Sequence, residues 1–406
     1  MFDRSATRAE GEALLRAFTP RMGRKYAQGR NTDHGPGAHR DVSTLSPYIR
    51  RRLVLEKDAV AAALAAHGPE MAEKFIDEVF WRGYFKGWLE RRPQVWADYV
   101  AGLERDLVAL DLDGKLRRAV LTAEGGQTGL ECFDAWAQEL VETGYLHNHA
   151  RMWFASIWIF TLELPWRLGA DFFYRHLLDG DAASNTLGWR WVAGLHTRGK
   201  AYQAEAWNIA KFTAQRFTPR DADLAQDIRP LDWTEPDGLP ALMPLRTVQS
   251  PREGVPTLLL LTDEDCRAED FPFSALDLRG SVTLAAAHLR SPRDVADGVL
   301  RFEEGALADA VGRASVPVLG TLRAGVPRDL ASFAAKHGAR QIATPYIPEG
   351  PLRDWLRQAE PALKAEGITL SEWRRDWDSA IWPQASAGFF KVRQAIPRIL
   401  QNFGMI

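Results

Sequence analysis

The sequence is poor in cysteine: Cys132 and Cys266 are the only two among 406 residues, and they lie far apart. Two thiols cannot build a disulfide framework, a four-cysteine zinc site or an iron–sulfur cluster held by four thiolates. We therefore predict that both cysteines are buried and reduced.

Long apolar runs are also missing, so the chain has no candidate membrane span and we expect no membrane partner. The N-terminal residues are polar and charged and lack the apolar core of a signal peptide, which predicts a cytoplasmic protein. The net charge of −2 argues against a protein that coats nucleic acid non-specifically.

The glycine-rich motifs of Rossmann and P-loop nucleotide-binding proteins are absent as well. No Gly-x-Gly-x-x-Gly follows the first predicted strand, and no Walker lysine motif occurs. The glycine-rich stretch at 125–129 lacks that lysine and is interpreted as a connector. Any nucleotide must therefore be held in another way than in Rossmann or P-loop proteins.

The periodicity of apolar residues divides the chain into two parts. Helical spacing dominates the first part, and short apolar strands alternate with helices in the second, which predicts an all-helical domain followed by a doubly wound parallel α/β domain. A segment rich in Pro, Asp and Gly separates them. The predicted units are a helical domain at 1–220, a linker at 221–254 and an α/β domain at 255–406. Helices are expected at 73–90, 132–143, 149–162, 293–311, 328–337, 351–365 and 389–402, and strands at 257–262, 281–287, 316–322, 341–345 and 368–373.

Four short segments of the helical part carry unusual chemistry. Hydroxyls occur at 43–48, where a helix start could bind phosphate. Glu78, Trp81 and Arg82 share one helical face. The stretch 147–152 holds two histidines and an arginine, and 179–191 packs two acids, an asparagine and two tryptophans. Taken alone, this last segment is more simply a capped turn with core indoles.

In this order and spacing the four segments resemble the flavin-binding domain of the DNA photolyase and cryptochrome family, over residues 26–217. The resemblance implies bound FAD, with Arg151 paired to Asp179, Asp181 at the polar edge of the flavin ring and Asn185 facing its reactive nitrogen. Val42 and His149 depart from the family pattern, which has Thr and Arg there. The implied FAD-binding residues are Tyr26, Ser43, Leu45, Ser46, Arg82, Asn148, Arg151, Asp179, Asp181 and Asn185; Arg30 matches a family arginine near them.

The resemblance also implies roles in chemistry. Glu78 would contact the DNA lesion, and Trp81, Met152 and Trp191 would line the cavity that receives a flipped pyrimidine dimer. Trp166 and Trp189 match the inner members of the tryptophan chain that photoreduces the flavin. Its outer, surface member has no clear match; Trp153 and Trp158 are candidates, although tryptophans at helical spacing are more often core.

A zinc site at His147 and His149 is the alternative interpretation of that motif. Two histidines two residues apart on a helix point to different faces, so structural histidines are favoured and no metal cluster is expected. Asn148 breaks the histidine pair that six-four photoproduct enzymes carry, which favours the cyclobutane dimer as substrate.

The second part resembles the α/β antenna domain that normally precedes the flavin domain, so the chain resembles a circularly permuted family member and leaves room for a second antenna chromophore of unknown type. We predict light-driven, FAD-dependent repair of cyclobutane pyrimidine dimers in damaged DNA, by electron transfer from the excited reduced flavin. The alternatives are a cryptochrome-like blue-light photoreceptor that signals through a protein partner, and a DNA-binding module that has lost its flavin.

Overall fold

The structure, a computed structural model, describes residues 5–406 and divides into a helical part and a five-stranded sheet. The helical part holds α1 to α11, and α12 to α16 follow or accompany the sheet. The helices are Arg8–Phe18 (α1), Arg24–Gly29 (α2), Ser46–Arg50 (α3), Glu56–Glu90 (α4), Pro93–Leu112 (α5), Gly114–Glu124 (α6), Glu131–Thr143 (α7), Asn148–Ser156 (α8), Trp166–His176 (α9), Ala182–Val192 (α10), Ala206–Phe212 (α11), Asp297–Ala314 (α12), Arg328–Lys336 (α13), Pro351–Ala365 (α14), Asp376–Ile381 (α15) and Phe389–Asn402 (α16).

The sheet is parallel throughout, with the strand order β3-β2-β1-β4-β5. Residues Leu258 to Leu261 are at most 1% exposed, because helices cover both faces of the sheet. The even-numbered leucines pack towards α13 and α14, and the odd-numbered ones pack on the opposite face. The predicted doubly wound fold is confirmed. The strands are Pro256–Thr262 (β1), Asp277–Ala285 (β2), Val318–Arg323 (β3), Gln341–Pro345 (β4) and Thr369–Trp373 (β5).

One large apolar core fills the helical part and also includes residues that come after β1 in the sequence. It takes in Val299 and Phe302 of α12, Trp377 of α15 and Ile396 of α16. The last helices of the chain therefore leave the sheet and pack back on α4. Both cysteines are free and buried, as predicted.

The return of the chain to α4 depends on small residues in that helix. A Cβ atom on Gly87 would lie 2.7 Å from the Cα of Trp382, and one on Gly83 would lie 3.2 Å from the Ile381 side chain. Backbone at this distance leaves no room for a side chain. These two glycines therefore bring residues 376–384 against the face of α4 next to the candidate site.

Candidate functional site

Charged residues recur every four positions along α4, at Glu78, Arg82, Lys86 and Glu90, among apolar and aromatic neighbours. This spacing places all four on one side of the helix. Exposure falls along the row, since the Glu78 side chain is 40% exposed and Glu90 is only 4% exposed. The row thus leads from the surface into the protein.

At its inner end, Lys86 joins an ionic cluster that also contains Arg50, Asp181 and Glu264. Lys86 Nζ lies 2.7 Å from Asp181 Oδ2, and Arg50 Nη2 lies 2.7 Å from Glu264 Oε1. Arg50 also donates to the carbonyl of Gly180, 2.9 Å away. Arg50, Lys86 and Asp181 are at most 5% exposed. Glu264 follows β1, so the sheet contributes to a cluster built mainly by helices.

The charge on Asp181 is fixed by these neighbours. Burial acts to raise the pKa of the carboxyl, but Lys86, Arg82 and Arg50 outweigh it and hold the pKa well below its ordinary value. The same carboxylate accepts a hydrogen bond from Ser184 N at 2.8 Å and so caps α10. Asp181 is therefore ionised at neutral pH and rigidly held.

The predicted pair of Arg151 and Asp179 is present, with Arg151 Nη2 donating to Asp179 Oδ2 at 2.9 Å. Burial acts to raise the pKa of Asp179, yet the adjacent Arg151 lowers it overall. Asp179 Oδ1 and Arg82 Nη1 are buried and find no hydrogen-bond partner anywhere in residues 5–406. A buried acceptor and a buried donor left unpaired fit the polar edge of a ring that carries both kinds of group.

Two small cavities lie beside Lys86 and Glu264, and each has a volume of about 10 Å³. The unpaired polar atoms of Asp179 and Arg82, rather than a cavity of the size of a flavin ring, mark this region as the candidate cofactor site.

The remaining predicted cofactor residues lie at different depths. Leu45 is fully buried, Tyr26 and Asn185 are 8 to 9% exposed, and Asn148 is exposed at the start of α8. Asn185 Nδ2 donates to the carbonyl of Ala170 at 2.8 Å, which orients its amide. Ser43 is half-buried, and Ser46, also half-buried, lies against the Asp179 carboxylate.

At the outer end of the row, Glu78 and Trp81 form the mouth of the site. Glu78 Oε1 lies 3.6 Å from Arg30 Nε, and partial burial raises the pKa of Glu78 against the opposing charge of Arg30. The Trp81 ring stacks on Phe389 of α16, with ring centres 4.0 Å apart and planes 12° apart. Phe389 is separated from Trp81 by about three hundred residues of sequence.

The other predicted lesion residues lie apart from this stack. Trp191 packs on Tyr202, with ring centres 5.5 Å apart, and Met152 is half-buried on α8. A sandwich of the lesion between Trp81 and Trp191 stays a prediction.

The inner tryptophans are core residues by packing. Trp166 and Trp189 are 4% and 3% exposed, and Trp189 lies 6.3 Å from Trp158 between ring centres. A Cβ atom on Gly169 would come within 2.4 Å of the Trp189 ring, so this glycine allows the close approach. Trp153 and Trp158 are fully buried. Neither can be the surface member of an electron-transfer chain, and both candidates for that role are wrong.

The histidine motif is held by its own hydrogen bonds. His147 Nδ1 accepts from the backbone of His149, whose Nδ1 lies 3.0 Å from the carbonyl of Asn31. Burial lowers the pKa of His147 to about 4, so the imidazole is neutral at pH 7. Within the described chain, no three His, Cys, Asp or Glu side chains are grouped to hold a metal ion. None of the helices in residues 5–406 is long and apolar enough to span a membrane.

Comparison with known proteins bears on this arrangement. Residues 75–221 match the family model described as the FAD binding domain of DNA photolyase. A deoxyribodipyrimidine photo-lyase of Thermus thermophilus is 35% identical over 198 residues, which are 47% of this chain and 43% of that protein. The enzyme of the same name from Vibrio cholerae is 28% identical over 264 residues, 61% of this chain and 54% of its own.

The helical part of the chain is therefore similar to the FAD-binding domain of DNA photolyases. The chain spans about half the length of the curated photolyases that it matches. Two solved structures are also similar: a class III photolyase from Agrobacterium tumefaciens, at 24% identity, a TM-score of 0.41 and coverage of 51% of this chain and 43% of that one, and a Synechocystis cryptochrome, at 23% identity, a TM-score of 0.40 and coverage of 53% and 46%.

The photolyase match contains Glu78, Arg151 and Asp181 but not every residue of the candidate site. Arg50, Glu264 and Phe389 lie outside it, and sequence reasoning missed all three. Lys86 was missed too, although the four-residue spacing from Glu78 through Arg82 was a usable signal. Glu264 and Phe389 gave no such signal, because only the tertiary fold brings them to α4.

Proposed function

We propose that this chain is a light-driven, FAD-dependent repair enzyme for cyclobutane pyrimidine dimers in DNA. One observation carries the proposal: a single face of α4 joins a half-exposed Glu and Trp mouth to a buried ionic cluster with unpaired polar atoms beside it. A base outside and a flavin inside would thus lie against the same helix.

On the inner side, the chain's own residues would bind and orient the cofactor. FAD, when bound, supplies the absorption of light and a transferable electron. Asp179 Oδ1 and Arg82 Nη1, unpaired in residues 5–406, would pair with polar atoms of the ring. Lys86 would keep the Asp181 carboxylate charged and in place. Asn185, with its amide tied to α9, would present its oxygen to the ring.

On the outer side, the mouth would receive a flipped-out dimer. The raised pKa of Glu78 increases the fraction of protonated carboxyl, which can donate a hydrogen bond to a dimer carbonyl. Trp81 would stack on the bases, and Arg30 would favour the negative charge that develops on the dimer. Flipping costs a few kcal/mol and least for damaged bases, so the lesion aids its own selection.

A blue-light photoreceptor is the second candidate, and one observation favours it. Phe389 covers a face of Trp81, so the mouth is closed to bases as it stands. A signalling protein has no need to open it.

Repair of dimer-containing DNA under blue light, compared with darkness, separates the two. We expect light-dependent loss of dimers by the reduced, FAD-loaded protein. The same protein leaving dimer content unchanged in the light would defeat the repair proposal and leave the photoreceptor.

A further inference from the structure

We propose that Phe389 competes with DNA bases for the mouth, occupying the stacking face of Trp81 until a flipped base displaces it. The inference rests on the proposed function in one respect, that Trp81 binds bases. It adds a residue from the far end of the chain and a cost that any base must meet before it stacks on Trp81.

The geometry of the stack is that of a base on an indole. The two ring centres are 4.0 Å apart and the planes differ by 12°, which is face-to-face contact. Phe389 also meets Tyr84 edge-on, with ring centres 5.7 Å apart and planes at 77°. A pyrimidine on this face of Trp81 would occupy the same volume as the Phe389 ring, so the two exclude each other.

The attachment of Phe389 allows its ring to leave without unfolding the helix. It is the first residue of α16, directly after Gly388. The helix is anchored farther along by Val392, Ile396 and Ile399, which are at most 7% exposed. Phe389 itself is half-buried. Rotation of one side chain at the helix end would therefore uncover Trp81 while the rest of α16 stays packed on α4.

Competition between Phe389 and the incoming base weakens the binding of every base by the same free energy. A base that must first be pulled from an intact duplex bears the cost of unstacking in addition, whereas a dimer or a base in single-stranded DNA carries that cost only weakly. The stack thus lowers occupancy of the mouth by all bases, and intact duplex binds weakest because it bears both costs.

The test measures binding of the full-length chain, in the dark, to oligothymidylate with and without one cyclobutane dimer. Aromatic pairs are worth about 0.5 to 1.5 kcal/mol, which corresponds to roughly 2- to 12-fold in affinity. We expect Phe389→Ala to tighten binding by that factor and Phe389→Leu to tighten it less. Phe390→Ala is the matched control, since this neighbour is 68% exposed, and it should leave affinity unchanged.

A double-mutant cycle isolates the contribution of the stack. In a Trp81→Ala background, Phe389→Ala should have no further effect, because the covered face no longer exists. Weaker binding by Phe389→Ala would show that Phe389 is a fixed wall of the pocket, and unchanged binding would show that it covers nothing a base uses; either result overturns the inference.

Failure of the inference and failure of the proposed function give different results. If the wild-type protein repairs dimers in the light but Phe389→Ala leaves DNA affinity unchanged, the inference fails and the proposed function stands. If Phe389→Ala tightens DNA binding only when Trp81 is present, and the wild-type protein shows no light-driven repair, the repair proposal fails and the inference stands.

Discussion

The two ends of the charged row on α4 differ in almost every physical respect. The inner end is an ionic cluster whose Lys86 and Asp181 side chains are 5% and 3% exposed and 2.7 Å apart. The outer end has a loosely paired carboxylate, with 3.6 Å between Glu78 and Arg30, and an aromatic stack at the end of a helix. The side chains at the inner end are therefore held in place, whereas those at the outer end can change partners at small cost.

This difference is what a repair enzyme would require of its two ligands. A cofactor that remains bound is served by buried, fully charged partners with little freedom. A substrate that enters and leaves is served by side chains that can change partners at small cost. Substitutions at the two ends of the row should therefore differ in their effects on stability and on ligand binding.

The largest effect is expected from Asp181→Ala. Removing the carboxylate breaks a buried pair at 2.7 Å and leaves Lys86 with Glu264, 4.0 Å away, as its acidic neighbour. Breaking a buried pair typically costs about 3 to 5 kcal/mol of stability. We expect that loss in chemical unfolding of the purified chain. Asp277→Ala, at the exposed pair with Arg279, is the control and should cost less than about 1 kcal/mol. Equal losses of stability for the two variants would mean that the buried ion pair of Asp181 contributes no more than an exposed one.

The next effect is a pH dependence at Glu90, the innermost residue of the row. Burial, with Glu349 nearby, raises the pKa of Glu90 to about 7, so between pH 4.5 and 7 the folded chain holds a proton that the unfolded chain has lost. Stability due to this proton is full at low pH and is lost as pH rises towards 7, by at most about 3 kcal/mol.

Glu90→Gln should remove this loss. Urea unfolding at pH 5 and pH 8 is the measurement, and the wild type should lose more stability than the variant over that interval. Glu303 has a similarly raised pKa and is present in both proteins, so the difference isolates Glu90. Parallel pH profiles would contradict a neutral Glu90 in the folded protein.

The smallest effect on stability is expected at the mouth. Glu78→Ala removes a side chain that is 40% exposed, and unfolding should change by no more than about 1 kcal/mol. Bound flavin should be retained while the yield of dimer repair falls. Loss of FAD from this variant would show that Glu78 helps to bind the flavin. That result would contradict the separate roles proposed for the two ends of the row.

Much of the fold could be predicted from the sequence, because its signals are local. All five strands were predicted, and α14 and α16 were predicted at their observed bounds, since apolar periodicity records which faces are buried. The pairing of Arg151 with Asp179 was implied by a motif and is observed. Circular permutation and a second antenna chromophore stay predictions.

The sequence could not predict contacts between residues that are far apart along the chain. The large core continues from the helical part into α12, α15 and α16, because helices after the sheet cross back to α4. Glu264 and Phe389 reach the site for the same reason. No spacing in the sequence relates these two residues to Asp181 or Trp81, and only packing of the whole chain does.

The most direct test of the account is a titration of the purified full-length chain with FAD, followed by absorbance and flavin fluorescence. We predict one FAD per chain for the wild type and for Glu78→Ala, with greatly weakened binding for Asp181→Ala. A wild-type chain that binds no FAD would contradict the central claim, that the buried end of the α4 row holds a flavin.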